Sequence, residues 1–427
     1  MEVFLLMAIG AGLVTAVGSH VVGRRSRANA WLEAARTAGL DAAVLHSRAG
    51  WPRHVEGRRG ALQVRILSFH DREANRAATR IEIRGLTRGL AFKASAGAEA
   101  RSDDIQLGDG MFDSEIVVGG DERVAAALLD FRTREMIRDL CAHRIRGKKR
   151  DIVIDMGARL DRGCLVSERT LGDQPVWLAG YLGELLDLAE RLQEPANVVD
   201  RLIANVRSDK DAGVRRTNLL LLLERPASAD ARRTAIAAGL DDMDEDVRLE
   251  AALAAGDEGR PALLEIATHE GAGDVCAARA VAALGSELTA EQARAIVIRA
   301  ADTGRIRTAE ACLESLGRRG PEEAETIGRV LGAADGRLAA AAARSLAGVG
   351  SAPSIVLLRE AEERLPRDHV LKQAVAEAVA AIRARLVGAG EGQVSLAGND
   401  SGHVSLAGEE EGRVSLAPPL EPPERRS

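Results

Sequence analysis

The chain is nearly devoid of aromatic residues. It carries 5 Phe, 3 Trp and 1 Tyr in 427 residues, and none of them lies beyond Tyr181. A second half without rings has no base-stacking platform and no aromatic-lined pocket, which disfavours nucleic acid as its partner. Cysteine is scarce as well. Cys141, Cys164, Cys276 and Cys312 are widely spaced and form no C-x-x-C, so a zinc ribbon and a disulfide scaffold are excluded and the four read as reduced thiols. Charge is close to balanced, with a net of −6, so the protein as a whole is no polyanion binder. Walker A loops, G-x-S-x-G, H-E-x-x-H and a helix-opening G-x-G-x-x-G are all missing. Nothing in these motifs supports catalysis, a cofactor or a metal, and the expectation is a non-enzymatic chain.

What is present begins with a membrane signal. Residues 3 to 22 carry no formal charge, and as a helix they would span about 30 Å, the thickness of a hydrocarbon core. A cleaved signal peptide is the competing reading, with Ala16-Val17-Gly18 as a loose cleavage site. Against it, the stretch is preceded by Met1-Glu2 and followed by Arg24, Arg25 and Arg27. Basic residues after the span predict a single-pass anchor with the body in the cytoplasm, in a membrane of the bacterial inner type. Ala8, Gly12 and Ala16 give the span a small-residue face that would permit self-association.

Residues 28 to 194 read as an α+β domain. Apolar spacing predicts a helix over 28–40, and strict alternation predicts antiparallel strands at 62–69, 79–85 and 90–94. A further strand is expected at 112–120, helices at 121–130 and 132–143, a hairpin of 151–156 with 164–168, and a long helix from Pro175 to Leu192. The acidic group Asp103, Asp104, Asp109, Asp113 and Glu115 lacks calcium-loop spacing and reads as a turn before a strand. His46, His54, His70 and His143 fall at irregular intervals and read as solvated or core-edge histidines. Residues 24 to 104 hold 16 basic against 9 acidic side chains. With Arg146, Lys148, Lys149 and Arg150 in a second cluster, Arg24, Arg25 and Arg27 are candidate contacts for anionic lipid. A solvated connecting loop is the plainer account of 144–150.

From 195 to 387 the chain repeats itself. Val214, Val247, Val275, Ile306, Leu338 and Val370 head similar helical segments spaced 33, 28, 31, 32 and 32 residues apart, each preceded by another helical stretch. Breakers such as Gly259-Arg260-Pro261, Gly285 and Gly320-Pro321 separate the units, and Thr289-Ala290-Glu291-Gln292 matches a capping box. About six two-helix units stacked as an α-solenoid are expected. The D-V-R-L-E-A-A segment at 246–252, the small residues of the second helices and the period resemble HEAT repeats, particularly the short kind found in phycobilisome lyases, over residues 198 to 386. That resemblance implies a protein-interaction scaffold. Cys276, Ala339 and Leu371 depart from its pattern where arginine is expected. Arg215, Arg248 and Arg307 fall at one repeat position, either as a ladder facing a partner or as inter-repeat ion pairs with Asp246 or Asp274.

Residues 388 to 427 repeat G-x-V-S-L-A three times, with Ser395, Ser405 and Ser415 ten residues apart. Such a segment is too poor in apolar residues to fold alone and is expected to be disordered. Val394, Leu396, Val404, Leu406, Val414 and Leu416 are candidate anchors for strand-type docking onto a protein partner. The reading as a whole is a membrane-anchored scaffold. Its rival is an enzyme or an enzyme's accessory subunit, with a site in the α+β domain that joins Asp109 and Asp113 to His54, His70 or His143.

Overall fold

The structure, a computed structural model, describes residues 28–48, 51–71, 76–94, 104–141, 158–169, 175–225, 228–333, 336–388, 394–396 and 404–406. The chain is mainly helical, with an antiparallel sheet domain first and a stack of helices toward the C-terminus. No helix among the described residues is long and apolar enough to cross a membrane, and residues 3 to 22 lie outside them. So do Arg24, Arg25, Arg27 and the cluster Arg146, Lys148, Lys149 and Arg150. The chain divides into two compact units, Met1–Ala255 and Gly256–Ser427.

In the first unit a helix over 28–37 (α1) buries Ala28, Trp31, Ala34 and Ala35 at three- and four-residue spacing, and Gly39 at φ +77° turns the chain out of it. Among the described residues eight strands follow: β1 (Asp41–Arg48), β2 (Trp51–Arg59), β3 (Leu62–Asp71), β4 (Arg76–Arg84), β5 (Leu90–Ala94), β6 (Ile116–Gly120), β7 (Arg159–Asp161) and β8 (Cys164–Arg169). Their order across the sheet is β1-β2-β3-β4-β8-β7-β5-β6, with every neighbouring pair antiparallel. Alternation sets the faces: Val55, Val64, Ile66, Ile81, Ile83 and Leu165 are buried, while Glu56, Arg65 and Glu82 line the other side. The β1–β2 hairpin was not expected, because histidine, arginine and proline interrupt its apolar pattern.

One expected strand is partly a helix. Gly110–Glu115 forms the short helix α2, and only Ile116–Gly120 is extended. Asp109 causes the difference by accepting a hydrogen bond from the Phe112 amide as an N-cap. Asp113 in turn accepts from the amides of Leu107 and Gly108, so these acids are used locally. Helices α3 (Glu122–Leu128), α4 (Phe131–Cys141) and α5 (Pro175–Arg191) follow the expected positions. In the expected hairpin, residues 164–168 fall within β8, whose described partners are β4 and β7, and 151–156 lies outside the described residues.

Two helix pairs complete this unit: α6 (Val198–Ser208) with α7 (Ala212–Glu224), and α8 (Ala229–Leu240) with α9 (Glu245–Ala255). A single apolar core runs through the sheet domain and both pairs, from Ala28 to Ala251. Arg134 of α4 seals the junction. Its guanidinium meets both carboxylate oxygens of Asp209 at 3.0 Å, and its Nε donates to Asp109 at 2.9 Å. Arg134 is 1% exposed. Beside it the backbones of Gly108 and Gly213 come so close that a Cβ on Gly108 would lie 2.5 Å from the Gly213 carbonyl oxygen.

The second unit holds four helix pairs: α10 (Arg260–Thr268) with α11 (Asp274–Leu284), α12 (Ala290–Asp302) with α13 (Ile306–Leu316), α14 (Ala324–Ala333) with α15 (Gly336–Val349), and α16 (Ala352–Arg364) with α17 (His369–Gly388). Second helices pack on second helices, α11 on α13, α13 on α15 and α15 on α17, and α14 likewise lies between α12 and α16. Thr289 and Gln292 form the expected capping box of α12, and Gly285, at φ +48°, ends α11. Arginines tie neighbouring pairs: Arg319 donates to the Leu288 carbonyl, Arg364 to those of Leu331 and Gly332, and Arg385 to those of Ala347 and Gly350.

The repeat anchors need one correction. Val275 and Val370 are 51% and 61% exposed, and the adjacent Cys276 and Leu371 take the buried place. The register slips by one residue there, which is why those two stand where arginine was expected. Ala280, wholly buried on α11, is an independent gauge of the packing. Ala280→Phe is expected to overpack the stack by about 1–3 kcal/mol, seen as a lower denaturation midpoint of the helical circular dichroism signal. An unchanged midpoint would mean this face of α11 is open.

In the tail, β9 (Val394–Leu396) and β10 (Val404–Leu406) pair antiparallel, with Ser395 opposite Ser405. For these six residues the strand-forming motif finds its partner in its own neighbouring copy. Val414 and Leu416 lie outside the described residues.

Candidate functional site

The arginines singled out by the repeat fall into two kinds. Arg215 and Arg248 make the same contact: Nη1 donates to the carbonyls of Asp209 and Lys210 in one case, and of Asp242 and Met243 in the other. Each thereby closes the loop that enters its own helix. In both loops an aspartate accepts from the amide two residues on, Asp209 from Asp211 and Asp242 from Asp244, and the second aspartate caps the helix. Arg215 also reaches forward to grip Asp242 with two hydrogen bonds of 2.7 and 2.8 Å. Hydrogen bonding and charge from Asp242 hold Arg215 above the usual guanidinium range despite its burial. The acidic partner is therefore Asp242, not Asp246. Arg307 differs: its side chain is exposed, and its backbone amide, with that of Thr308, bonds to the Asp274 carboxylate. Burial opposes ionisation of Asp274, but these two amides outweigh it and hold the carboxyl below its ordinary range.

A groove of about 630 Å³ lies between α13 and α15. Gly317, Ser345 and Gly348 form its floor, because glycine there lets the two backbones approach. Glu310, Glu314, Arg318 and Arg344 stand around it. Arg337 holds Glu310 through two hydrogen bonds of 2.9 and 3.0 Å, which fixes one acidic wall. The groove is small-floored and charged of both signs.

The sheet carries a third grouping, which the sequence reading missed. His46 of β1 and His54 of β2 are directly paired across the hairpin, with ring centroids 4.7 Å apart. Glu56, two residues along the same face of β2, lies 3.4 Å from His46 Nε2 and 3.1 Å from His54 Nε2. Arg65 of β3, paired with Glu56, brings its Nε to 3.2 Å from the Glu56 carboxylate. Partial burial, and then Arg65, lower the His54 pKa against the opposing pull of Glu56, which favours its neutral form. A cavity of about 450 Å³ opens over this face. The signal in the sequence was equal spacing: His46 and His54 each stand four residues from Gly50.

The acid pair proposed for an enzymatic site is otherwise engaged. Asp109 caps α2 and pairs with Arg134, while Asp113 holds the Leu107 and Gly108 amides. His54 belongs to the sheet grouping, His143 lies outside the described residues, and the His70 side chain is not described. Cys312 is buried on α13, and burial pushes its thiol up to about 12, which keeps it protonated and unreactive. No protein-family model matches this chain, and no curated protein matches it.

Proposed function

We propose that the chain is a membrane-anchored interaction scaffold: residues 3 to 22 hold it in the bilayer, and a HEAT-like solenoid binds a protein partner. The observation that carries this reading is the groove between α13 and α15. Second helices packed side by side create it, and its small floor and charged walls suit a polar protein segment laid along it. The shared contact of Arg215 and Arg248, and D-V-R-L-E-A-A on α9, support the kinship with HEAT repeats. On this reading Arg215 and Arg248 cement the loops, and the partner meets residues such as Arg344.

The test uses the full chain in its own membrane. A photo-crosslinking residue at Ser345, on the groove, is expected to yield a discrete adduct that Arg344→Glu abolishes, whereas one at Glu325, on α14, yields none. The same adduct pattern from both positions would remove the groove from the argument. The anchor is checked separately: the full chain should resist carbonate extraction from membranes, and a chain shortened to begin at Ala28 should not. Equal extraction of the two would overturn the anchor.

A further inference from the structure

Three side chains on the solvent face of β1 and β2 bring ligand atoms to one point. One ring nitrogen each of His46 and His54 and a carboxylate oxygen of Glu56 all lie within 4.8 Å of one another. Zinc bound tetrahedrally at about 2.0–2.1 Å keeps its ligands about 3.3–3.4 Å apart. Glu56 meets the two histidines through different oxygens, Oε2 at 3.4 Å from His46 Nε2 and Oε1 at 3.1 Å from His54 Nε2, each contact close to that edge. Backbone pairing sets the arrangement, since His46 and His54 are cross-strand partners and Glu56 follows on the same face. Two histidines and a glutamate are a donor set suited to zinc, and the open cavity leaves room for a solvent ligand.

We propose that His46, His54 and Glu56 bind a divalent transition metal of the zinc class, and that Arg65 is the cation such an ion displaces. Arg65 is poorly satisfied where it stands. Its buried Nε has no hydrogen-bond partner although Glu56 is 3.2 Å away, so the pairing is one of charge without alignment. Its Nη2 lies 3.4 Å from His54 Nε2. The same nitrogen is 3.1 Å from Glu56 Oε1, so it faces a donor and an acceptor at once, and a single tautomer serves only one of them. A dication would satisfy Glu56 and both imidazoles together, where the guanidinium satisfies none of them fully. Released, Arg65 has Glu82 directly opposite it on β4.

The experiment titrates ZnCl2 into the detergent-solubilised full chain by calorimetry, with CoCl2 as a spectroscopic probe. One ion per chain is expected, with the visible absorption of four- or five-coordinate cobalt. His46→Ala and His54→Ala should each weaken binding by at least about tenfold, and Arg65→Gln should strengthen it by about the same factor. Because His46 is exposed, its replacement separates lost ligation from lost folding, and circular dichroism of each variant checks the fold. Failure of the wild-type chain to bind, or wild-type affinity in either histidine variant, would overturn the site. Unchanged affinity in Arg65→Gln would overturn the displacement by Arg65.

Discussion

Arg134→Met should destabilise the first unit by about 3–5 kcal/mol, the cost of stranding a buried charge when one partner of an ion pair is removed. Asp209 is the charge stranded, because its side chain is wholly inaccessible and Arg134 is its bidentate partner. Its remaining bonds are from the Phe131 and Asp211 amides, neither of which carries a charge. Trp31, Trp51 and Trp177 all lie in this unit and the other has none, so tryptophan fluorescence in urea follows its unfolding alone. An unchanged midpoint would mean Asp209 is not held as described. Arg134→Met combined with Asp209→Leu should recover part of the loss, since an apolar pair removes the stranded charge but leaves the Phe131 amide without its acceptor. Acid should act in the same direction. Burial raises the Asp109 pKa, but the Phe112 amide and Arg134 outweigh it and the carboxyl sits below its ordinary value. Its contribution is complete above the ordinary carboxylate pKa, near pH 4, and is lost as pH falls through the lower folded value. Asp130, held down by the Thr133 amide and Arg191 against its own burial, loses its contribution over the same acid range.

Gly213→Val should cost about 3 kcal/mol, the upper end of overpacking, because the obstacle is main chain and cannot rotate away. A Cβ at 213 would fall on the Gly108 carbonyl, and Gly108 itself is at φ +94°, which a side chain would strain. Gly213→Ala makes the sharper comparison. An ordinary exposed helical glycine gains roughly 1 kcal/mol when replaced by alanine. Here the alanine should destabilise instead, lowering the same fluorescence midpoint. A stabilising alanine would show that the two backbones do not meet.

The parts of this fold that could be read in the sequence are those where one periodicity dominates. Helices of the C-terminal half are visible because alanine and leucine recur at helical spacing between glycine and proline breakers, and the capping box at Thr289 marks a start outright. Strands β3, β4 and β5 are visible because apolar and charged residues alternate without interruption. The β1–β2 hairpin is not, since Gly57 takes a buried position and polar side chains crowd the rest. The histidine grouping was lost with it: ligand atoms that meet across a hairpin have no fixed spacing until the pairing is known. Helix α2 was hidden for another reason, as its start depends on a single capping bond from Asp109 rather than on a pattern. The slip at Val275 and Val370 is a last example. Two adjacent apolar residues, Val275-Cys276 and Val370-Leu371, offer alternative registers, and only packing chooses between them.

The junction of the sheet domain with the first helix pair uses the same chemistry as the junction of that pair with the next. Arg134 grips Asp209 as Arg215 grips Asp242, each with two hydrogen bonds, and both aspartates belong to a D-x-D loop closed by an arginine six residues after its first aspartate. An added copy of residues 198 to 224, with its linker, would meet a fitting plug on one side and present a fitting socket on the other. A helix pair inserted at this point would therefore need no new surface chemistry on either side.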